Sequence, residues 1–248
     1  MRNLGNTCFA AAAVRALAAC PRAVDAVSLD RTALGVHLAS VMRDPASAAW
    51  PALVRELDGL LGRRRHEQHD SHELICAVVD RLGLDPRFTV RTVTGLKCGA
   101  CGKVTAREET NIHVTAEPSA SIASGLAAAH APRWVEGILC DEGCGRRHRA
   151  AMRTVPKGPA PDVLVVRTTQ GRLTWVEHGF AYCGDRFRLR AVVVYRGSGQ
   201  GGHYTCCVLQ DGGRWVSYDD DSAGDAAVTT VSGASALPDV HTVLYEKA

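Results

Sequence analysis

The sequence predicts an α+β fold, and three observations carry that expectation. Apolar residues recur at three-to-four spacing through the first third of the chain, and alternation with β-branched residues takes over after Pro86. Two close cysteine pairs, Cys98/Cys101 and Cys140/Cys144, punctuate the region between. Runs of helix followed by runs of strand, rather than their alternation, are the pattern of α+β architecture.

The elements follow in order. Thr7 or Asn6 can cap a first helix that runs through an Ala-rich segment to about Ala19 and stops at Pro21. Leu34, Leu38, Val41 and Met42 mark a second helix, and Leu53, Leu57, Leu60 and Leu61 a third. A fourth begins after Asp70, whose spacing to Glu73 is that of a capping box, and shows one apolar face at Leu74, Ile75, Val78, Val79 and Leu82. Strands are expected at 89–94, 104–115, 163–169, 187–195, 204–209 and 243–245, with a loose-ended helix in 117–132 and a Pro/Gly turn at 155–161. The plan is a helical lobe over 1–90, a cysteine-bearing β extension over 91–153 and a mainly antiparallel sheet lobe over 154–248.

Composition narrows the function classes. At 248 residues, 46% hydrophobic and 22% charged, the chain is ordinary globular material, which excludes disorder, collagen-like repeats and coiled coil. A net charge of +3 gives no global pull toward nucleic acid or anionic lipid, so any basic partner surface must be local. Ten cysteines are too sparse for a disulfide scaffold, and their paired spacing favours a reducing, intracellular compartment. The first twenty residues imitate a secretory signal, but Asn3, Gly5, Asn6, Thr7 and Arg15 interrupt it. No run approaches the 18 or so apolar residues of a membrane span. A soluble protein without an export signal is expected.

Cys8 lies at the predicted start of the first helix, where unpaired N–H groups and the helix dipole favour a thiolate. By position alone most cysteines are small buried hydrophobes. A thiol nucleophile needs a base and an orienting acceptor. His203 opens a strand after a Gly-rich run, and Asp219 follows at the separation of a strand, a turn at 211–213 and a return strand, which sets an Asp beside His203 across a hairpin. Asp219, Asp220 and Asp221 are consecutive, so strand alternation would point only alternate members at the imidazole, and if Tyr218 packs inward beside Trp215 a local bend is needed to turn Asp219 toward His203; Asp221 is expected to be solvated. Cys206 and Cys207 adjoin His203; alternation turns one of them inward, and neither starts a helix, so Cys8 is the preferred nucleophile. Cys98, Cys101, Cys140 and Cys144 have the layout of two zinc knuckles, and a closed four-sulfur site would fix structure rather than catalyse. His66 to Asp70 brushes a zincin motif without its second ligand, and Arg63 to Arg65 and Arg146 to Arg149 read as solvated basic faces.

These residues sit in strings that resemble one family. Asn3-Leu4-Gly5-Asn6-Thr7-Cys8-Phe9 is similar to the cysteine box of the ubiquitin-specific proteases, which are papain-like cysteine peptidases. Gln68-His69-Asp70-Ser71-His72-Glu73-Leu74 resembles their glutamine/aspartate box, and Gly202-His203-Tyr204 with Trp215-Val216-Ser217-Tyr218-Asp219-Asp220 their histidine box. Weaker echoes lie at 161–166, 189–192 and 243–245, so the resemblance spans nearly the whole chain in the family's order.

The resemblance implies a single catalytic domain of papain-like α+β fold, with a helical thumb, zinc-pinned β fingers and an antiparallel β palm. It implies Cys8 as nucleophile, His203 as general base and acid, and Asp219 as the group orienting its imidazole. Asn3 would join the Cys8 backbone N–H in the oxyanion hole, with a polarising role for Asp220. Asp70 would engage the substrate's C-terminal tail, together with Gln68, Gly202 and Tyr204. The implied cofactor is one structural Zn2+ on Cys98, Cys101, Cys140 and Cys144. The implied partners are ubiquitin and ubiquitinated proteins, cut after the C-terminal Gly-Gly, with no nucleic acid and no membrane, by an intracellular, cytoplasmic or nuclear monomer. Ala11, Arg15 and Tyr195 depart from the usual Asn, Gln and His, and Arg167 to Gln170 replace a common Leu-Lys-Arg-Phe. Two other readings are a catalytically weak ubiquitin-binding scaffold and a zinc-ribbon nucleic-acid binder using Arg146 to Arg149.

Overall fold

The computed structural model describes residues 1–62, 67–168, 175–198, 201–221, 229–231 and 239–248. Arg63 to His66, Thr169 and Gln170, and part of the Gly-rich run before His203 lie outside them.

Six helices precede the first strand: α1 (Cys8–Ala18), α2 (Pro21–Ser28), α3 (Ala33–Arg43), α4 (Trp50–Leu60), α5 (Ser71–Arg81) and α6 (Asp85–Phe88). Pro21 does more than stop α1. It also opens α2 from the first helical position, where its missing N–H costs nothing. Thr7 precedes α1 but its side chain makes no capping bond; its Oγ1 instead accepts from the Leu4 N–H at 3.0 Å. Asp70 does cap α5, accepting from the backbone N–H of His72 and Glu73. Almost all of α1 from Cys8 to Leu17 is buried, as a helix apolar all round must be, and its run of alanines lets the sheet approach closely.

The rest of the chain gives β1 (Val90–Cys98), β2 (Val104–Asn111), β3 (His113–Ala116), α7 (Ile122–Ala129), β4 (Arg133–Leu139), β5 (Arg147–Pro156), β6 (Val163–Thr168), β7 (Gly179–Tyr182), β8 (Asp185–Ser198), β9 (Gly201–Leu209), β10 (Trp215–Tyr218), β11 (Thr229–Val231) and β12 (Val240–Lys247). One antiparallel sheet runs β2-β1-β5-β4. The larger sheet runs β11-β10-β9-β8-β12-β6-β3, with β7 beside β8; among the strands of the described residues, only the β3–β6 pair is parallel. The expected single strand at 104–115 is therefore two strands in two sheets. The first half is exposed along an edge, whereas Val114 and Ala116 are buried against β6.

The large sheet is covered on both faces. Val163, Val165, Ala191, Val193, Cys206 and Leu244 pack with the helices around α1, while Leu164, Val166, Val192, Cys207, Trp215 and Tyr245 fill a second core on the other side. Cys206 and Cys207 are thus both buried, not one inward and one outward, because each strand face has its own core. The architecture is α+β with antiparallel sheets. No helix among the described residues is long and apolar enough to cross a membrane.

Candidate active site

Three segments converge where α1 begins: the loop before Cys8, the loop before α5, and the β9–β10 hairpin. The first loop turns sharply because Gly5 (φ 98°) and Asn6 (φ 53°) adopt left-handed backbone, which these two residue types tolerate best. Asn3 Oδ1 fastens that turn, accepting from the N–H of Gly5 at 2.9 Å and of Thr7 at 3.4 Å.

Cys8 is buried, and burial pushes its thiol pKa up. Hydrogen bonds from the Tyr204 backbone N–H, from Gln68 Nε2 at 3.6 Å and from the Phe9 N–H work the other way without winning. Desolvation thus opposes the thiolate that a helix start favours, and outweighs the hydrogen bonds that support it. Gln68 Oε1 also accepts from the Gly202 N–H at 3.0 Å, while its Nε2 donates to the Gly202 carbonyl. A Cβ at position 202 would lie 2.5 Å from the Tyr195 ring, so any larger residue there would have to move the ring or the backbone.

The hairpin delivers the acids. Tyr218 pairs with Cys206, on the face opposite Trp215, and the chain beyond it passes alongside His203. His203 Nε2 lies 2.7 Å from Asp219 Oδ1 and 3.9 Å from Asp220 Oδ1, and its Nδ1 lies 3.4 Å from Asp221 Oδ2. All three aspartates surround one imidazole because the strand ends at Tyr218, so the two-residue alternation expected for them does not apply. Asp221 is not merely solvated: its Oδ1 also accepts from Asn3 Nδ2 at 2.7 Å. That bond occupies the very amide expected to serve an oxyanion. The Asp220 side chain is buried with neither carboxylate oxygen hydrogen-bonded, and burial, reinforced by Asp221 and Asp219, pushes its pKa up to about 6.

Asp70 holds more than the α5 cap. Arg167 Nη2 lies 2.9 Å and His241 Nε2 3.4 Å from its Oδ2. Burial alone would raise its pKa, but His241, Arg167 and the His72 N–H outweigh it and hold the carboxyl well below the usual carboxylate range. Neither Arg167 nor His241 was singled out as a site residue; a lone arginine within the apolar strand Val163–Thr168 was the available signal. His72, Cys76 and His113 cluster nearby, but Arg167 donates toward His72 Nδ1 at 2.9 Å, which opposes a cation there.

The four knuckle cysteines come together between the ends of β1, β4 and β5. Their sulfurs all lie within 4.8 Å of one another, with 3.6 Å between Cys101 and Cys140 and 4.0 Å between Cys98 and Cys144. Zn–S bonds of about 2.3 Å in a tetrahedron place sulfurs about 3.8 Å apart, so the set fits zinc. Gly143 belongs to the cradle, since a Cβ there would lie 2.7 Å from Cys140 Sγ and 2.9 Å from Cys101 Sγ. Backbone N–H groups of Cys101 and Ala100 hold the Cys98 thiol down to about 6. The adjacent basic run is used internally: Arg147 donates to the Gly137 carbonyl, and Arg149 stacks 4.1 Å over Trp134.

Residues 101–237 match the family model described as ubiquitin carboxyl-terminal hydrolase. No curated protein matches the sequence. Among solved structures, the chain is similar to a SAGA DUB module of Ubp8, Sgf11, Sus1 and Sgf73 bound to monoubiquitin, with TM-score 0.81 and 13% identity over 100% of this chain and 68% of that one. The same module bound to ubiquitin aldehyde gives TM-score 0.80 and 14% identity over 100% and 69%. The yeast module with a mutant Sgf73 gives 0.79 and 13% over 100% and 68%. At such identities the likeness is one of fold.

Proposed function

Since the chain belongs to the ubiquitin carboxyl-terminal hydrolase family, we propose that it is a cysteine protease that hydrolyses the isopeptide or peptide bond after the C-terminal Gly-Gly of ubiquitin. The observation that carries the reading is the 2.7 Å contact of Asp219 with His203 Nε2, one residue from the Tyr204 N–H that bonds the Cys8 thiol.

With Asp219 accepting the Nε2 proton, the neutral imidazole keeps its lone pair on Nδ1. With burial pushing the Cys8 thiol pKa up, the reaction begins with that Nδ1 removing the thiol proton as sulfur attacks the glycine carbonyl. The oxyanion then accepts from the Cys8 backbone N–H and the Asn3 amide. The imidazolium returns its proton to the departing amine, and water activated by the same ring releases the thioester as a carboxylic acid. A diglycine tail suits a channel walled by Gln68, Gly202 and Tyr204, because only glycine lets backbone walls close around the scissile carbonyl. Asp70 would hold the tail further back.

Residues 1–90, 91–153 and 154–248 would act as thumb, fingers and palm of one catalytic domain, and zinc on the four cysteines would pin the finger tips. Ten free thiols favour a reducing, cytoplasmic or nuclear setting, with the chain acting as a monomer. The scaffold reading draws support from the occupied Asn3 amide, while the internal use of Arg147 and Arg149 weighs against the nucleic-acid reading. Reaction with ubiquitin carrying a thiol-trapping C-terminal electrophile tests the proposal. An adduct mapped to Cys8 and lost in Cys8→Ser is expected. Tight ubiquitin binding without an adduct would overturn it in favour of the scaffold, and an adduct on Cys206 or Cys207 would overturn the assignment of the nucleophile.

A further inference from the structure

We propose that Asp221 is an internal latch, a carboxylate that occupies the two reacting positions of the site until substrate displaces it. The inference rests on the roles proposed for Cys8, His203 and Asn3.

The contacts are specific. One oxygen of Asp221 takes the Asn3 side-chain amide at 2.7 Å, and the other lies 3.4 Å from His203 Nδ1. These are the donor proposed for the oxyanion and the nitrogen proposed to take the thiol proton; the first contact is a hydrogen bond, while beside the lone pair of Nδ1 the carboxylate makes no bond and only fills the space the thiol proton must cross. A planar carboxylate spanning both positions presents the same chemistry as the C-terminal glycine carboxylate of the cleaved product. The side chain is held there by a short turn: the Asp221 N–H donates to Asp219 Oδ1 at 3.1 Å, the oxygen that also receives His203 Nε2. The Asn3 N–H in turn donates to the Asp220 carbonyl at 3.3 Å, so the first loop and the acidic turn are tied at two points.

The latch is built to open. The Asp221 side chain is 62% exposed, so both of its contacts face water and are individually weak. Asp219 and Asp220, exposed 36% and 4%, lie closer to the protein interior and keep their places when it leaves. An arriving glycine carbonyl would take over the Asn3 amide, and the thiol would take over Nδ1, so displacement requires no movement of the sheet. Unlike a catalytic group, Asp221 would therefore slow the enzyme.

Two variants and two reagents test this. Asp221→Ala removes the latch, while Asp221→Asn removes its charge but keeps an oxygen for the Asn3 amide. Alkylation of Cys8 by iodoacetamide reports on the site without ubiquitin, and labelling by the ubiquitin electrophile reports on the whole reaction. Asp221→Ala should accelerate both about two- to five-fold, the factor a weak, exposed polar contact sustains, with unchanged thermal melting. Asp221→Asn should accelerate ubiquitin labelling less than Asp221→Ala does. Equal acceleration by both variants would reduce Asp221 to a bulk negative charge and overturn the latch, as would an unchanged or slower rate in folded Asp221→Ala. Faster alkylation with no ubiquitin labelling in any variant would keep the latch and sink the proposed function. Labelling of the parent protein with alkylation insensitive to Asp221→Ala would do the reverse.

Discussion

Gln68 clasps Gly202 through both of its backbone groups and places the same side-chain amide 3.6 Å from the Cys8 thiol. One residue thus ties the loop before α5 to the start of β9 at the point where the reactive sulfur lies.

That contact fixes the sign of a first prediction. The Gln68 bond lowers the thiol pKa against the burial that raises it. Gln68→Ala should push the thiol higher still, because the thiolate loses a hydrogen bond that favours it. Iodoacetamide alkylation of Cys8 followed against pH would show the midpoint moving up and the rate at neutral pH falling. A midpoint that stays put would mean that the amide does not stabilise the thiolate.

The glycine held by that clasp gives a second. Gly202→Ala sets a methyl 2.5 Å from the Tyr195 ring, so ring or backbone must shift, at a cost of about 1–3 kcal/mol. Tyr195→Ala should relieve most of that cost. Urea melts of the two single variants and the double variant would read the coupling, and strict additivity would contradict it.

The zinc site gives a third. The small sheet has little core of its own, with β2 almost wholly exposed and only a few buried side chains such as Val90, Cys98 and Ala150. Metal binding would supply the stability that burial does not. Purified protein should carry one zinc per chain. Its removal by a chelator, or Cys101→Ser, should open 91–153 to proteolysis while the α1 core stays folded. Protein free of zinc with the same protease resistance would rule the site out as structural.

The elements most legible in the sequence are those with strong local signals. The Asp70 cap, the apolar face of α5 and the valine-rich β6 each follow from residues within one turn or strand. α2 and the strands β4 and β5 escaped because Pro21 signals a stop as strongly as a start, and because exposed strands carry no alternation of burial. His203 and Asp219 were legible because a hairpin is a local object. The engagement of Asp221 by Asn3, 218 residues away, depends on how two loops meet and on a strand that ends one residue before the acidic run. Nothing local encodes either.

Asp220 gives the last prediction, and its sign runs opposite to that of most carboxylates. Its side chain is 4% exposed, neither oxygen is hydrogen-bonded, and its folded-state pKa is about 6 against an ordinary 3.8. The folded protein therefore holds this proton more tightly than the unfolded chain does. Below pH 3.8 both states are protonated and Asp220 has no net effect on stability. As pH rises from there to 6 the unfolded chain ionises first, and above 6 the buried charge costs the fold about 3 kcal/mol. Asp220→Asn keeps the shape and removes the charge, so it should raise Tm at pH 8 by roughly 6–12 °C, with the gain fading through pH 6 and gone near pH 4. A carboxylate kept where it weakens the fold is the mark of a functional group, so the same variant should lose ubiquitin-substrate turnover while gaining stability. Melting curves at several pH values with turnover measured in parallel decide it: a Tm difference independent of pH would refute the buried charge, and undiminished turnover would remove Asp220 from the proposed mechanism.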